Sequence, residues 1–301
     1  MPLPPNRRTW IIQVLIAASF TAALAASAVE HRDAGMPATM VWQSDASSIA
    51  GAGDNAARLD AIRRRLEGAG FEVASQPFTS GEHEGLNLLA PVAGDVAAPL
   101  LLLGAHADRV EDGEGAVDNA SGAAVVLALA ERFRQRPLAN HRVAVAFWDL
   151  EERGLLGARH YVGNGGERPS LYVNFDVFGW GDTLWMMAPD LSDPLVAAGP
   201  SAAAAAGTGF SATAQHYPPT DHLAFLRDGW PAVSYSLLDA DEISALEIMM
   251  QGEQPDAPPR VMQVIHTAQD TRQQLDAPAV ARGIEAVEAA LREWDAGQPE
   301  P

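Results

Sequence analysis

PLLLLGAHAD, residues 99–108, is the segment from which the architecture of this chain can be worked out. Four consecutive leucines closed by a glycine are typical of a short strand buried on both faces, and such strands belong to parallel sheets covered by helices. His106 and Asp108 follow where this strand ends. In an open α/β sheet, ligands bind outside the carboxyl ends of the strands, so both side chains are candidates for a functional site.

Apolar runs and helical patterns alternate on both sides of this segment. The sequence predicts strands at 71–78, 86–92, 100–104, 142–148 and 171–175, and helices at 54–67, 121–134, 155–162 and 277–294. A polar lead-in precedes the first helix, for which Asp54 is the expected N-cap. The alternation indicates an α/β fold with three layers, α/β/α, around a mostly parallel mixed central sheet.

Three polar residues follow three of these strands, namely His106, Glu152 and Asp176. Because the carboxyl ends of parallel strands share one edge of a sheet, these side chains should converge. Asp118 lies at the start of a helix in VDNASG, and His266 lies in the late loop VIHTAQDT. Two histidines and three carboxylates are the ligand set that a pair of zinc ions sharing one carboxylate needs. Taken singly, each residue also fits an ordinary structural role.

Glu151 and Glu152 emerge together from the apolar strand 142–148. Two adjacent carboxylates repel unless a cation or a proton separates them, so one can bind metal while the other acts as a base. Asp108, two residues after His106, can accept the second imidazole N–H and so fix which nitrogen faces a metal.

Composition excludes several kinds of chemistry. The chain has no cysteine and no lysine, and all 20 basic residues are arginine. This excludes a thiol nucleophile, disulfides, cysteine-ligated zinc, a P-loop lysine and a Schiff-base lysine. The net charge of -19 disfavours nucleic acid as a partner, because such a surface repels phosphate backbones.

Residues 1–28 are predicted to be a signal peptide. Arg7 and Arg8 precede an apolar run, and Ala26-Ser27-Ala28 is a small-residue cleavage site. An uncleaved anchor is the alternative. The sequence thus predicts an exported bacterial protein, periplasmic or extracellular, with no membrane contact after cleavage. Residues 29–301 are predicted to form a single domain, and the sequence does not specify its oligomeric state.

The motifs H-x-D, D-N-x-S-G, E-E-x-G-L-x-G, D-x-x-G and I-H-T-x-x-D-T occur in this order. Together they resemble the zinc exopeptidase family of bacterial leucyl aminopeptidase, glutamate carboxypeptidase and glutaminyl cyclase. For residues 29–301 the resemblance implies the phosphorylase/hydrolase architecture of zinc aminopeptidases. It implies two Zn2+ per chain, with His106 and Asp176 on one, Glu152 and His266 on the other, and Asp118 bridging. Glu151 would be the general base toward a metal-bridging water.

Residues 216–235, HYPPTDHLAFLRDGWPAVSY, resemble a further stretch of that family. The resemblance implies that Asp221 and His222 shape the substrate pocket and that Tyr217 directs its phenol at the developing oxyanion. Pro218 and Pro219 stand where the aminopeptidases flank this tyrosine with cysteines, so an ordinary turn is the alternative.

The leading hypothesis is an exported dizinc aminopeptidase acting on peptides with a free N-terminus and an apolar first residue. The alternatives are a single-zinc glutaminyl cyclase, a carboxypeptidase and a non-catalytic interaction domain. EERGLLGARHY and IHTAQDT favour the aminopeptidase branch, and only Arg109 and Arg153 could serve a substrate carboxylate. The segment 237–264, with a short helix expected at 242–250, is longer than a minimal connection and could serve specificity or self-association.

Overall fold

A computed structural model describes residues 37–298. The strands of this part are β1 (Ala74–Ser80), β2 (His83–Ala93), β3 (Leu100–His106), β4 (Arg142–Trp148), β5 (Leu171–Phe175), β6 (Thr183–Met187), β7 (Gly209–Thr213) and β8 (Ala232–Leu238). The α-helices are α1 (Ala38–Ala50), α2 (Asn55–Gly68), α3 (Ser121–Gln135), α4 (Leu156–Gly163), α5 (Pro194–Ala206), α6 (His222–Arg227), α7 (Ala240–Met250), α8 (Val261–Val264) and α9 (Ala277–Ala296).

The eight strands form one mixed sheet in the order β1-β2-β4-β3-β5-β8-β6-β7. Strands β4, β3, β5 and β8 run parallel, as do β6 and β7, whereas β1–β2, β2–β4 and β6–β8 are antiparallel. Helices cover both faces of this sheet. The predicted α/β class with a mostly parallel mixed sheet is therefore confirmed.

The leucine run explains why both faces are covered. Every residue of β3 is buried. Leu101 and Leu103 belong to the core that includes α1, α3 and α9, and Leu100 and Leu102 belong to the core on α4 and α6. Successive side chains of a strand point to opposite faces, so a strand between two helical layers must be apolar at every position.

Several element predictions differ from the structure, among them the start of β2, which lies at His83 and not at residue 86. The prediction of a polar lead-in before the first helix is wrong. Helix α1 occupies this stretch and buries Trp42, Ala46 and Ile49 in the core. Strand β1 begins three residues later than predicted, since Phe71 packs into the core from the loop that follows Gly70. The expected cap is present, with the Asp54 side chain accepting the backbone N–H of Ala57 at 2.8 Å.

The predicted signal peptide, residues 1–28, lies outside the described residues, and its cleavage and the export of the chain stay predictions. Between residues 37 and 298, none of the helices combines the length and the apolar character that crossing a membrane requires.

Candidate metal centre

The five predicted ligands meet at the carboxyl ends of β3, β4 and β5. His106 is the last residue of β3, Asp176 directly follows β5, and Glu152 follows β4 by four residues. Asp118 lies in a π-helical turn, Ala116–Ala120, that leads into α3, and its own backbone is not helical. His266 arrives from the loop after α8 with a positive φ of 58°.

The Asp118 carboxylate stands between the two histidines. Its Oδ1 is 3.1 Å from His106 Nε2, and its Oδ2 is 3.0 Å from His266 Nε2. His106 Nε2 also lies 3.3 Å from Asp176 Oδ1, and His266 Nε2 lies 3.1 Å from Glu152 Oε2. The ligands therefore form two pairs, one facing each oxygen of Asp118.

This donor set fits a divalent metal. Donor atoms of His106, Asp118 and Glu152 all lie within 4.8 Å of one another. Glu152 Oε1 is buried without a hydrogen-bond partner, and the buried Asp176 Oδ1 has no contact of hydrogen-bond geometry beyond its 3.3 Å approach to His106 Nε2; both are costly for a carboxylate unless a cation or a proton reaches it. Imidazole nitrogens and carboxylate oxygens are ligands that Zn2+ accepts.

The charges of the centre are strongly coupled. Hydrogen bonds that His266 donates to the carboxylates of Asp118 and Glu152 raise its pKa to about 10. Burial raises the pKa of Glu151 to about 10, and the nearby Asp221 and Asp176 add to this shift. Burial opposes ionisation of Asp118, but its two histidine contacts outweigh burial and hold its pKa below the usual range. An excess of buried carboxylates of this kind attracts cations.

Asp108 contacts His106, as predicted, and also the backbone of the glutamate pair after β4. His106 Nδ1 lies 3.2 Å from the backbone carbonyl of Asp108 and 3.4 Å from its Oδ1. The Asp108 carboxylate also accepts the backbone N–H groups of Glu151 and Glu152 at 3.0 and 3.2 Å. One buried side chain thus positions the predicted ligand His106 on β3 and the glutamate pair after β4.

Two further residues support the Asp118 turn. The Asp270 carboxylate accepts the backbone N–H groups of Val117 and Asp118 at 2.7 and 3.1 Å. Arg58 is fully buried on α2 and donates to the carbonyls of Ala107, Glu114 and Gly115 at 2.6, 3.0 and 3.1 Å. Burial lowers its pKa to about 10, which leaves the guanidinium protonated at neutral pH.

The sequence analysis missed the role of Arg58. The sequence feature that could have indicated this role is the position of Arg58, a charged residue one helical turn before Ile62 on the apolar face of a predicted helix.

The structure does not bring Tyr217 into the ligand cluster. Its half-buried ring packs 5.3 Å from the ring of His222, and it is not among the residues that line the cavity beside the ligands. Asp221 and His222 are buried behind Thr220, which does line the cavity. The Asp221 carboxylate has no hydrogen-bond partner among the described residues, and burial raises its pKa. The oxyanion role of Tyr217 stays a prediction.

A cavity of about 290 Å³ opens beside the ligands. Its polar side consists of Asp118, Glu151, Glu152, Asp176 and His266, and its apolar wall includes Trp185, Met187, Leu238, Leu246, Met250 and Ile265. Helices α7 and α8 supply part of this wall, so the long segment 237–264 borders the cavity. The buried Glu242 ties these helices together, since it accepts Trp180 Nε1 at 2.8 Å and the backbone N–H of Val261 at 2.7 Å.

The arrangement agrees with the comparison of the sequence with known families. The profile of peptidase family M28 matches residues 87–291. The chain belongs to this family. It is also 36% identical over 128 residues to leupeptin-inactivating enzyme 1 of Streptomyces exfoliatus, an alignment that covers 41% of this chain and 29% of that protein. The chain thus spans less than a third of this relative.

Solved structures share the fold. A glutaminyl cyclase from Porphyromonas gingivalis aligns with a TM-score of 0.66 at 19% identity, covering 86% of this chain and 98% of that chain. A zinc aminopeptidase from Bacillus subtilis aligns with a TM-score of 0.57 at 23% identity, covering 71% of this chain and 51% of that chain. The resemblance found in the sequence motifs is confirmed at the level of family and fold.

Proposed function

We propose that this M28 peptidase is a dizinc aminopeptidase that releases the first residue of peptides. The observation that carries the proposal is the Asp118 carboxylate, whose two oxygens each face a separate pair of ligands. A carboxylate in this position can serve two cations at once, which a site for a single ion does not require.

His106 and Asp176 would hold one zinc ion, Glu152 and His266 the other, and Asp118 both. Bound zinc polarises a carbonyl and lowers the pKa of water. Asp108 and Asp270 keep these ligands in place through the contacts described above, since partners behind the ligands fix their orientation.

Glu151 is the proposed proton carrier. Its side chain lines the cavity next to the ligands, and its backbone N–H is fixed by Asp108. The Glu151 carboxylate would accept a proton from the water as its oxygen bonds to the carbonyl carbon, and would then donate that proton to the leaving amine as the peptide C–N bond breaks. Without metal, burial and the neighbouring carboxylates raise the pKa of Glu151. Cations bound at Asp118 and Asp176 would lower this pKa again, so that Glu151 could act as a base.

The cavity supports selection of an apolar first residue. A protonated N-terminal amine is attracted to the carboxylates at the polar side, while an apolar side chain fits the wall of Trp185, Met187 and Leu246. Burying such a side chain is worth about 1.5–3 kcal/mol, which is enough to discriminate against glycine or a charged residue.

The test is a panel of aminoacyl anilides assayed with purified protein, after chelation, and after return of zinc. We expect cleavage of the leucyl compound, loss on chelation, recovery with two zinc ions per chain, and a loss of at least about 100-fold for Glu151→Gln. Glu67→Gln, at an exposed position, is the matched control. Full activity in the presence of chelator, or in Glu151→Gln, would contradict the proposal.

Glutaminyl cyclase activity is the competing outcome of the same test. The likeness to a cyclase is one of fold, whereas ligands on both sides of Asp118 favour two ions. Cyclisation of a peptide with N-terminal glutamine, at one zinc per chain and without anilide cleavage, would reverse this preference.

A further inference from the structure

The β1–β2 hairpin stands at the same edge of the sheet as the metal ligands. Strand β2 runs antiparallel to β4, with Leu88 opposite Phe147, so the start of β2 lies beside the carboxyl end of β4. The backbone N–H of Leu86 donates to Asp149 Oδ2 at 2.9 Å, two residues before Glu151. The hairpin is therefore a lateral extension of the site across β4, β2 and β1.

Two further cavities follow this edge. The first, of about 380 Å³, includes the ligand Glu152 together with Asn55, Leu150 and Arg153. The second, of about 850 Å³, shares Asn55 and Leu150 with the first and ends at Phe78 and His160. The ligand cavity adjoins the first of these at Glu152, and the first adjoins the second, a groove between α2 and the hairpin, at Asn55 and Leu150.

The far end of this groove is closed by a stacked pair of rings, of which Phe78 is buried and His160 is partly exposed. The rings of Phe78 and His160 stack with centroids 5.0 Å apart and an interplanar angle of 20°. On the backbone opposite, a Cβ added at Gly85 would come within 2.3 Å of the Phe78 ring, so the ring has no room to move in that direction. Asn164 Nδ2 contacts His160 Nδ1 at 3.2 Å. The adjoining lining is apolar at Leu59, Pro77 and Leu86.

We propose that this groove binds the part of a peptide substrate that follows the cleaved bond. The inference rests on the proposed aminopeptidase function. The apolar cavity lies over β8 and β6, on one side of the ligands, and the groove lies over β4, β2 and β1, on the other. A peptide with its first side chain in the apolar cavity can extend away from it along the groove.

The geometry sets the length of peptide that the groove accepts. From β4 to β1 there are two strand spacings, about 10 Å in all, which an extended chain covers with about three residues. The substrate class is therefore unstructured peptides of at least four residues. The apolar lining and the partly exposed His160 ring favour an apolar or aromatic side chain at the third or fourth residue.

The experiment compares kcat/KM for leucyl anilide, Leu-Gly, Leu-Gly-Gly, Leu-Gly-Gly-Gly and Leu-Gly-Gly-Phe on the zinc-loaded full chain. We expect a rise of at least about 10-fold from Leu-Gly to Leu-Gly-Gly-Phe, with no gain from further residues. Ala56→Trp places a large side chain in the groove from an exposed position of α2. This variant should lose the advantage in kcat/KM that the tetrapeptide Leu-Gly-Gly-Phe has over leucyl anilide. Ala205→Trp, at an exposed helical alanine of α5, is the matched control and should keep that advantage.

A second measurement separates this inference from the proposed function. Binding of the same peptides to Glu151→Gln, followed by calorimetry with and without Ala56→Trp, reports the groove without turnover. Cleavage of the anilide without any dependence on length, or an advantage of the tetrapeptide that is unchanged in Ala56→Trp, overturns the groove and leaves the aminopeptidase intact. Length-dependent binding that Ala56→Trp removes, in a chain that cleaves nothing, supports the groove and overturns the activity.

Discussion

Arg58 shows how one buried side chain holds two site loops together. Its guanidinium donates to Ala107, between His106 and Asp108, and to Glu114 and Gly115, just before the Asp118 turn. Its positive charge also offsets the buried carboxylates nearby, which raise its own pKa against the effect of burial. The loops that carry ligands from β3 and from the Asp118 turn therefore share one anchor on α2.

We predict that Arg58→Met destabilises the chain by at least about 3 kcal/mol, because three carbonyls, two of them in fully buried contacts, lose a charged donor. Urea unfolding monitored by circular dichroism measures this change. Arg64→Met, which removes only the exposed ion pair with Asp60 on the same helix, should change stability by less than about 0.5 kcal/mol. Equal effects of the two substitutions would show that Arg58 has no special structural role.

Asp270 supports the proposed metal ligand Asp118 through the backbone of its turn. An asparagine in its place keeps one acceptor oxygen and loses the other, so one of the N–H groups of Val117 and Asp118 loses its partner. We predict that Asp270→Asn lowers zinc affinity by about 10–100-fold. Competition with a chromophoric chelator gives the affinity, and Asp256→Asn at an exposed position is the control. Unchanged affinity would mean that Asp118 needs no such support.

At the scale of elements, the sequence predicted well what is local. The strands β3, β4 and β5 are continuous apolar runs, and each ligand after them stands in a short phrase at the strand end. Helix α1 was not predicted because Ser44, Asp45 and Ser47 interrupt the helical spacing of its apolar residues and leave no clear apolar face in the sequence. Burial on α1 is decided by contact with α3 and α9, which the sequence does not display.

The local sequence patterns also could not predict which ligands lie next to each other. Asp118 and His266 are far apart in sequence, and only the folded sheet brings them to 3.0 Å. The motif resemblance supplied that pairing. For Tyr217 the resemblance is weaker, because its flanking prolines depart from the family. In the structure this residue does not line the cavity.

Glu242 makes helices α7 and α8 act as one wall. Glu242→Ala leaves Trp180 Nε1 and the Val261 N–H without an acceptor, at about 1–3 kcal/mol for each, so the wall should loosen. We predict that KM for leucyl anilide rises about 10-fold while KM for alanyl anilide changes little, because a short side chain does not reach the wall. Metal content should remain unchanged. Glu253→Ala, exposed in the same segment, is the control, and a loss common to both substrates would refute a role in specificity.

The balance of charge connects the site to the stability of the whole molecule. Without cations, Glu151 and His266 both have pKa values raised to about 10, from ordinary values of 4.5 and 6.5. The folded chain then binds protons more tightly than the unfolded chain. Stability from these groups is complete below the unfolded pKa values and is lost as the pH rises toward 10. The metal-free chain should therefore lose stability between pH 5 and pH 9.

Zinc should reverse this trend, because it binds deprotonated ligands and its affinity rises with pH. We predict that the difference in Tm between zinc-loaded and chelated protein widens from pH 5 to pH 8. A tenfold gain in affinity contributes about 1.4 kcal/mol, or about 2–3 °C for a chain of 301 residues. Calorimetric scans at matched ionic strength measure the gap, with Asp118→Asn as the control in which it should nearly vanish. A gap that stays constant with pH would mean that proton release from these ligands is not linked to metal binding, and that the carboxylate cluster has another source of compensation.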